Sequence, residues 1–290
     1  MKIPKRIEPL VQDGLVDEVV CSLKSGKEAS VYIVVSRGET CCAKVYKEAN
    51  KRSFKAAALY QEGRKVRNSR QARAMEKGSR YGRKEQEEAW QNAEVTALYR
   101  LKAAGVRVPE PYGFYDGVLL MEMVRGADGD PAPRLNDIVD MPAEQARDFH
   151  LRLVREIVRM LCAGLVHGDL SEYNVLVDSA GPVVIDLPQA VDAAGNNNAR
   201  MMLERDVANM AAYFGRYAPE LKTTQYGEEI WTLFEAGRLT PESELTGQVT
   251  RRQTAADVDA VLREITDVLA DEARRRAAAS DSGEPASGYV

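Results

Sequence analysis

The sequence predicts an α+β fold in two lobes, a five-stranded antiparallel sheet with one helix ahead of a reduced helical lobe. Three observations carry this expectation. Residues 17–46 alternate apolar and polar in strand fashion and are cut by two turn signals, Ser25-Gly26-Lys27 and Arg37-Gly38. A helical pattern over Glu85 to Ala104 is followed by a second strand pair around Asp116-Gly117. Beyond residue 126 the apolar spacing becomes helical.

Taken in order, residues 17–46 make a three-strand meander, and residues 48–84 form a basic insert without alternation. In the helix Glu85 to Ala104, Ala93, Ala97, Leu98 and Leu101 share one face, and Gly105 ends it. Pro109 to Val124 supplies two more strands. A helix over Ala143 to Ala163 places Phe149, Leu153, Ile157, Met160 and Leu161 at helical spacing. Val175-Leu176-Val177 and Val183-Val184-Ile185 form a hairpin, and a helix resumes over Leu203 to Tyr217. A last amphipathic helix starts at Thr254 with Asp257 in capping-box position. The lobes are expected over 1–125 and 126–240, followed by a helical extension over 241–277 and a disordered tail over 278–290.

Composition narrows the chemistry. The 290 residues are 44% apolar and 29% charged, an ordinary globular balance. No apolar run approaches the roughly 18 residues of a membrane helix, and Met1 to Arg6 carries no secretory signal. A cytoplasmic protein with no membrane partner is expected. The four cysteines lack CxxC spacing and read as reduced core thiols. With only two histidines, carboxylates must do most of the chemistry.

The strongest motif is His167-Gly168-Asp169-Leu170-Ser171-Glu172-Tyr173-Asn174, running into Val175-Leu176-Val177, with Val183-Val184-Ile185-Asp186 behind it. Phosphoryl transfer from a nucleotide needs a carboxylate to accept a proton from the nucleophile and oxygen ligands to hold magnesium on the phosphates. Asp169, Asn174 and Asp186 can supply both if the hairpin gathers them. An isolated HGD could equally satisfy loop backbone, as an Asx residue often does.

These residues match the catalytic loop and metal-binding segment of the protein kinase-like fold, and "HGDLSEYNVLV…IDLPQAV" resembles the RIO family of atypical serine/threonine kinases. The likeness extends to "KSGKEASVY" at Lys24–Tyr32 as phosphate loop, "CCAKVYK" at Cys41–Lys47 and "WQNAEVTALYRL" at Trp90–Leu101. It continues through "LLMEMVRG" at Leu119–Gly126 as hinge and "PAPRL" at Pro131–Leu135. The resemblance implies a stand-alone form without a winged-helix domain. It implies that Lys44 holds the α- and β-phosphates and pairs with Glu94, that Asp169 is the catalytic aspartate, and that Asn174 and Asp186 ligate Mg2+ or Mn2+. ATP would be held by Ser25, Gly26, Lys27, Glu28 and Ser30, with Met121 behind the adenine. The backbones of Glu122 and Val124 would bind its edge, and Leu176 and Ile185 would lie beneath.

Departures leave alternatives open. Gly168 is unusual for the family, and HGD also marks aminoglycoside- and choline-kinase-like phosphotransferases. Ser171 stands near where ordinary kinases place a catalytic lysine, Leu187-Pro188 replaces Phe-Gly, and no A-P-E segment follows. Three readings remain: a kinase that autophosphorylates or hydrolyses ATP through a phosphorylated Asp186, a small-molecule phosphotransferase, and a nucleotide-gated ribosome-assembly factor. Residues 51–84 hold twelve basic and two acidic side chains, so the net charge of −4 hides +10 there and −14 on the other 256 residues. That segment lies where the family has a flexible loop. It is the expected site of RNA or ribonucleoprotein contact, and Ser53, Ser69 and Ser79 are its autophosphorylation candidates.

Overall fold

The computed structural model describes residues 3–26, 28–47 and 80–249, with side chains from 92 onward in the first long helix. Lys27, Ser53, Ser69, Ser79, nearly all of the basic segment and the helix expected from Thr254 lie outside the described residues. Residues 1–249 form one unit. The described residues of this unit continue to 249.

The N-lobe is built on an antiparallel sheet in the order β1-β2-β3-β5-β4: β1 (Glu18–Ser25), β2 (Ala29–Ser36), β3 (Glu39–Tyr46), β4 (Pro111–Tyr115) and β5 (Val118–Glu122). Arg37-Gly38 and Asp116-Gly117 make the two-residue turns, all four residues at positive φ. Alternation along β3 divides its side chains between two faces. Cys41, Ala43 and Val45 join Val34, Val118 and Leu120 against Ile7 and Leu10, which belong to or flank a short helix, α1 (Glu8–Gln12). Tyr46 and Leu119 instead pack with Val95, Leu98 and Leu101 of α2 (Arg80–Ala103). The sheet is therefore covered by helices on both faces, and α1 was not expected from the sequence.

The C-lobe packs α3 (Ala143–Cys162) and α4 (Ala199–Phe214) around the hairpin of β7 (Val175–Asp178) and β8 (Gly181–Val184) and the small pair of β6 (Leu165–Val166) with β9 (Val191–Asp192). A further helix, α5 (Tyr226–Glu235), is also an addition to the sequence reading. Residues 240–249 strap onto it: Glu229 accepts hydrogen bonds from the backbone N–H of Thr246 and Gly247 at 2.9 and 2.8 Å.

Two details correct the sequence reading. Helix α2 already includes Arg80, five residues before the expected Glu85, where the sequence carries charge rather than an apolar stripe. Of the cysteines, only Cys41 and Cys42 are core thiols. Burial pushes them up to about 11 and about 12, whereas Cys21 and Cys162 are exposed.

Candidate active site

Antiparallel pairing sets Lys44 opposite Val31 on one side and Leu119 on the other, and alternation sends it to the same sheet face as Tyr46, under α2. Glu94 projects from α2 to meet both. Lys44 Nζ donates to Glu94 Oε1 at 2.5 Å and to Asp186 Oδ1 at 2.9 Å, and the Tyr46 hydroxyl donates to Glu94 Oε2 at 2.6 Å. Burial works to discharge the Lys44 ammonium, but the two carboxylates outweigh it and hold the group above the usual lysine range. Tyr46 was missed in the sequence, although its position two residues after Lys44 on a strand is the signal that finds it.

The catalytic loop is held from below. Asp206, 2% exposed on α4, accepts the backbone N–H of Gly168 at 2.8 Å and of Leu170 at 3.1 Å. Asn209 donates to the Leu170 carbonyl at 3.0 Å, and Arg205 to the Gly168 carbonyl. Gly168 sits at φ +79°, the left-handed region that glycine enters without a Cβ penalty. His167 braces the loop from within: its Nδ1 accepts the Asp169 N–H at 3.2 Å, which leaves the proton on Nε2 to donate to the Ile185 carbonyl at 3.1 Å. The neutral ring thus ties Asp169 to the segment that carries Asp186.

Asp169 is exposed, and burial of part of its carboxyl, with the Asp186 charge added, pushes its pKa up despite the nearby Arg205. Asp186 is a non-glycine residue at φ +66°. Burial pushes its carboxyl up, but the Lys44 ammonium and its hydrogen bond more than offset this and hold it below the usual aspartate range. Asn174 Nδ2 donates to the Asp169 carbonyl at 2.9 Å, and the Asn174 carbonyl accepts the Ile185 N–H at 3.0 Å, which joins it to the segment that ends in Asp186. Among the described residues no group of three or more His, Cys, Asp and Glu side chains could hold a metal by itself. One carboxylate and one amide oxygen suit a magnesium ion that completes its shell with phosphate oxygens and water.

At the phosphate loop, Ser25 and Ser30 hydroxyls lie 3.0 Å apart, and Lys47 Nζ donates to Ser25 Oγ at 3.0 Å and to the Gly26 carbonyl at 2.5 Å. The Lys47 N–H donates to the Glu28 carbonyl at 2.9 Å. The loop braces itself through Lys47, a role the sequence reading did not assign. At the hinge, Val124, Ala132 and Val183 form a small apolar cluster with Leu176 against it, while Met121 packs against the main core. The Val124 carbonyl accepts Ala132 N–H at 2.9 Å and the Glu122 N–H donates to the Glu110 carbonyl at 2.8 Å. No acceptor for the buried Val124 N–H is found among the described residues, so it suits the edge of an adenine. Ile185 is partly exposed and carries its carbonyl to His167.

The family model described as the RIO domain matches residues 30–226. The chain belongs to the RIO family. Among curated relatives, this RIO-family chain is 38% identical over 215 residues to the RIO-type serine/threonine-protein kinase Rio1 of Haloferax volcanii, covering 72% of this chain and 68% of that protein. It is 31% identical over 214 residues to the serine/threonine-protein kinase RIO1 of Homo sapiens, covering 73% of this chain and 36% of the human protein. A third relative, serine/threonine-protein kinase rio1 of Schizosaccharomyces pombe, is 31% identical over 214 residues, 40% of its length. The chain therefore spans less than half of these two eukaryotic proteins. The five-stranded antiparallel sheet with its helices is an α+β, kinase-like fold consistent with the RIO domain. Among the described residues no helix is long and apolar enough to cross a membrane.

Proposed function

We propose that this chain is an ATP-dependent serine/threonine kinase that binds ATP with Mg2+ or Mn2+ and phosphorylates itself or a protein substrate. The observation that carries the reading is the contact of Lys44 with both Glu94 and Asp186, at 2.5 and 2.9 Å. A buried ammonium shared between a helix carboxylate and the metal-binding segment is the arrangement phosphoryl transfer uses to seat the α- and β-phosphates. Asn174 and Asp186 would hold the metal, which offsets charge on the phosphates. The substrate hydroxyl oxygen forms a bond to the γ-phosphorus, the bond from that phosphorus to the β,γ-bridging oxygen breaks, and ADP leaves with the electron pair. Asp169 accepts the hydroxyl proton, and its raised proton affinity suits that task.

A second outcome draws on the half-exposed Asp186 carboxylate. Its charged oxygen can take the γ-phosphoryl group itself, and water then hydrolyses the acyl phosphate to give net ATPase activity. The basic segment 51–84 is the proposed contact for RNA or a ribonucleoprotein, an attraction that weakens steeply with salt. Peptide mapping after incubation with magnesium-ATP tests the reading. Phosphate on a serine of that segment supports the kinase, phosphate on Asp186 supports the ATPase, and turnover only with an added alcohol or aminoglycoside overturns both.

A further inference from the structure

The phosphate loop joins β1 to β2, yet it is gripped by a residue of neither strand. Lys47 directly follows the last residue of β3. Its backbone N–H donates to the Glu28 carbonyl at 2.9 Å, one step beyond the Ala29 and Tyr46 pair that ends the β2–β3 ladder. Its Nζ donates to Ser25 Oγ at 3.0 Å and to the Gly26 carbonyl at 2.5 Å. One residue therefore holds the loop on both sides of its turn, at Ser25 and Gly26 where β1 ends and at Glu28 where β2 begins.

The hold comes from behind. Residues directly opposite one another in a sheet share a face, and Ser25 stands opposite Ser30, which stands opposite Val45. Val45 packs on the α1 side of the sheet, whereas Lys44 and Tyr46 reach Glu94 on the α2 side. An ammonium only donates, so Ser25 Oγ accepts from Lys47, and the 3.0 Å contact between the Ser25 and Ser30 hydroxyls carries the grip across to β2. The end of β3 thus sets two parts of the phosphate seat at once: the Lys44 ion pair on one face and the loop, through Lys47, on the other. A loop built around Gly26 is costly to order, and holding it in place beforehand removes that cost from nucleotide binding.

We infer that Lys47 is a positioning residue for the phosphates of the nucleotide, acting through the phosphate loop rather than by touching them. The inference rests on the ATP-binding reading above. Titration calorimetry on the full chain with Mg-ATP, and with adenosine, which carries no phosphate, tests it. Lys47→Met keeps the main-chain bond to Glu28 and removes the two made by Nζ. It should weaken Mg-ATP binding about tenfold, the scale of one charge-assisted hydrogen bond, and leave adenosine within about twofold. Steady-state kinetics should show KM for ATP rising more than kcat falls. Lys47→Arg, which keeps the donors, should bind Mg-ATP within about threefold of the wild type. Ser25→Ala added to Lys47→Met should cost less than the product of the two single losses, since both cut the same grip. Unchanged ATP binding in Lys47→Met, an equal loss for adenosine, no recovery with Lys47→Arg, or independent losses from the two substitutions each overturn the role while the ATP reading stands. A wild-type chain that binds neither ligand overturns the ATP reading itself.

Discussion

Glu94 shows how one side chain sets the terms for its neighbours. It is 3% exposed and holds Lys44 through one oxygen and Tyr46 through the other, so its charge is fully used. Tyr46→Phe removes one charge-assisted hydrogen bond, and urea unfolding should report a loss of about 1.5–3 kcal/mol. Asp169→Asn should cut turnover by roughly 10²–10⁴ with ATP affinity unchanged, and wild-type turnover should fall on acidification with a midpoint above that of an ordinary aspartate. Asp206 and His150 have opposite pH signatures. Burial raises Asp206 to about 6 from 3.8, so the native state keeps a proton the unfolded chain has released; this stability is full below about pH 4 and lost as pH rises through 6. Burial lowers His150 to about 4 from 6.5, so its contribution is full above 6.5 and lost as pH falls through 4. Each is worth about 3 kcal/mol at 1.36 kcal/mol per unit. Unfolding free energies from pH 4 to 7 should show Asp206→Asn gaining on the wild type as pH rises and His150→Leu losing to it. Lys44, Glu94 and Asp186, which the structure brings into contact, were named through the resemblance of their motifs, since a lone strand lysine or helix glutamate reads as a solvated side chain. Asp206 was not, although it shares a helical face with Leu203, Val207 and Met210, the signature of an acid turned inward.

At the level of elements, α4 acts as a bracket whose three polar residues hold two loop residues, Gly168 and Leu170, each by its N–H and its carbonyl. Gly168→Ala forces a Cβ into φ +79°, at a cost of roughly 1–2 kcal/mol; steady-state kinetics should show a fall in kcat larger than any change in ATP affinity, because the displaced group is Asp169. The same φ explains why the HGD triplet was ambiguous as a string: glycine there answers a backbone demand. Strands β1 to β5 were legible because alternation and turn residues agree. Helix α1 spans five residues, too few for a period to show. Helix α5 hides behind Gly227 in its first turn, a poor helix former. A Cβ at Gly227 would lie 3.1 Å from the Glu204 Cα, so the glycine permits the close approach of α4 and α5.

Across the whole molecule, an acidic body carries a basic segment, and the balance near zero conceals both. Magnesium-ATP at about 100 times its Kd should stabilise the body by about 2.7 kcal/mol, read as a rise in Tm, with no such rise for Lys44→Met. The stretch after α2 also has an unexpected allegiance. Arg107 gives its N–H to Glu156 of α3 at 2.9 Å, its guanidinium to Asp178 at 2.5 Å, and its carbonyl to the Val184 N–H at 2.8 Å. The foot of α2 is therefore stitched to the C-lobe while Glu94, farther up the same helix, grips the N-lobe sheet through Lys44. Mechanically, α2 is a strut, pinned at its foot to the C-lobe through Arg107 and at Glu94 to the sheet through Lys44, so one helix carries load between the two halves of the cleft.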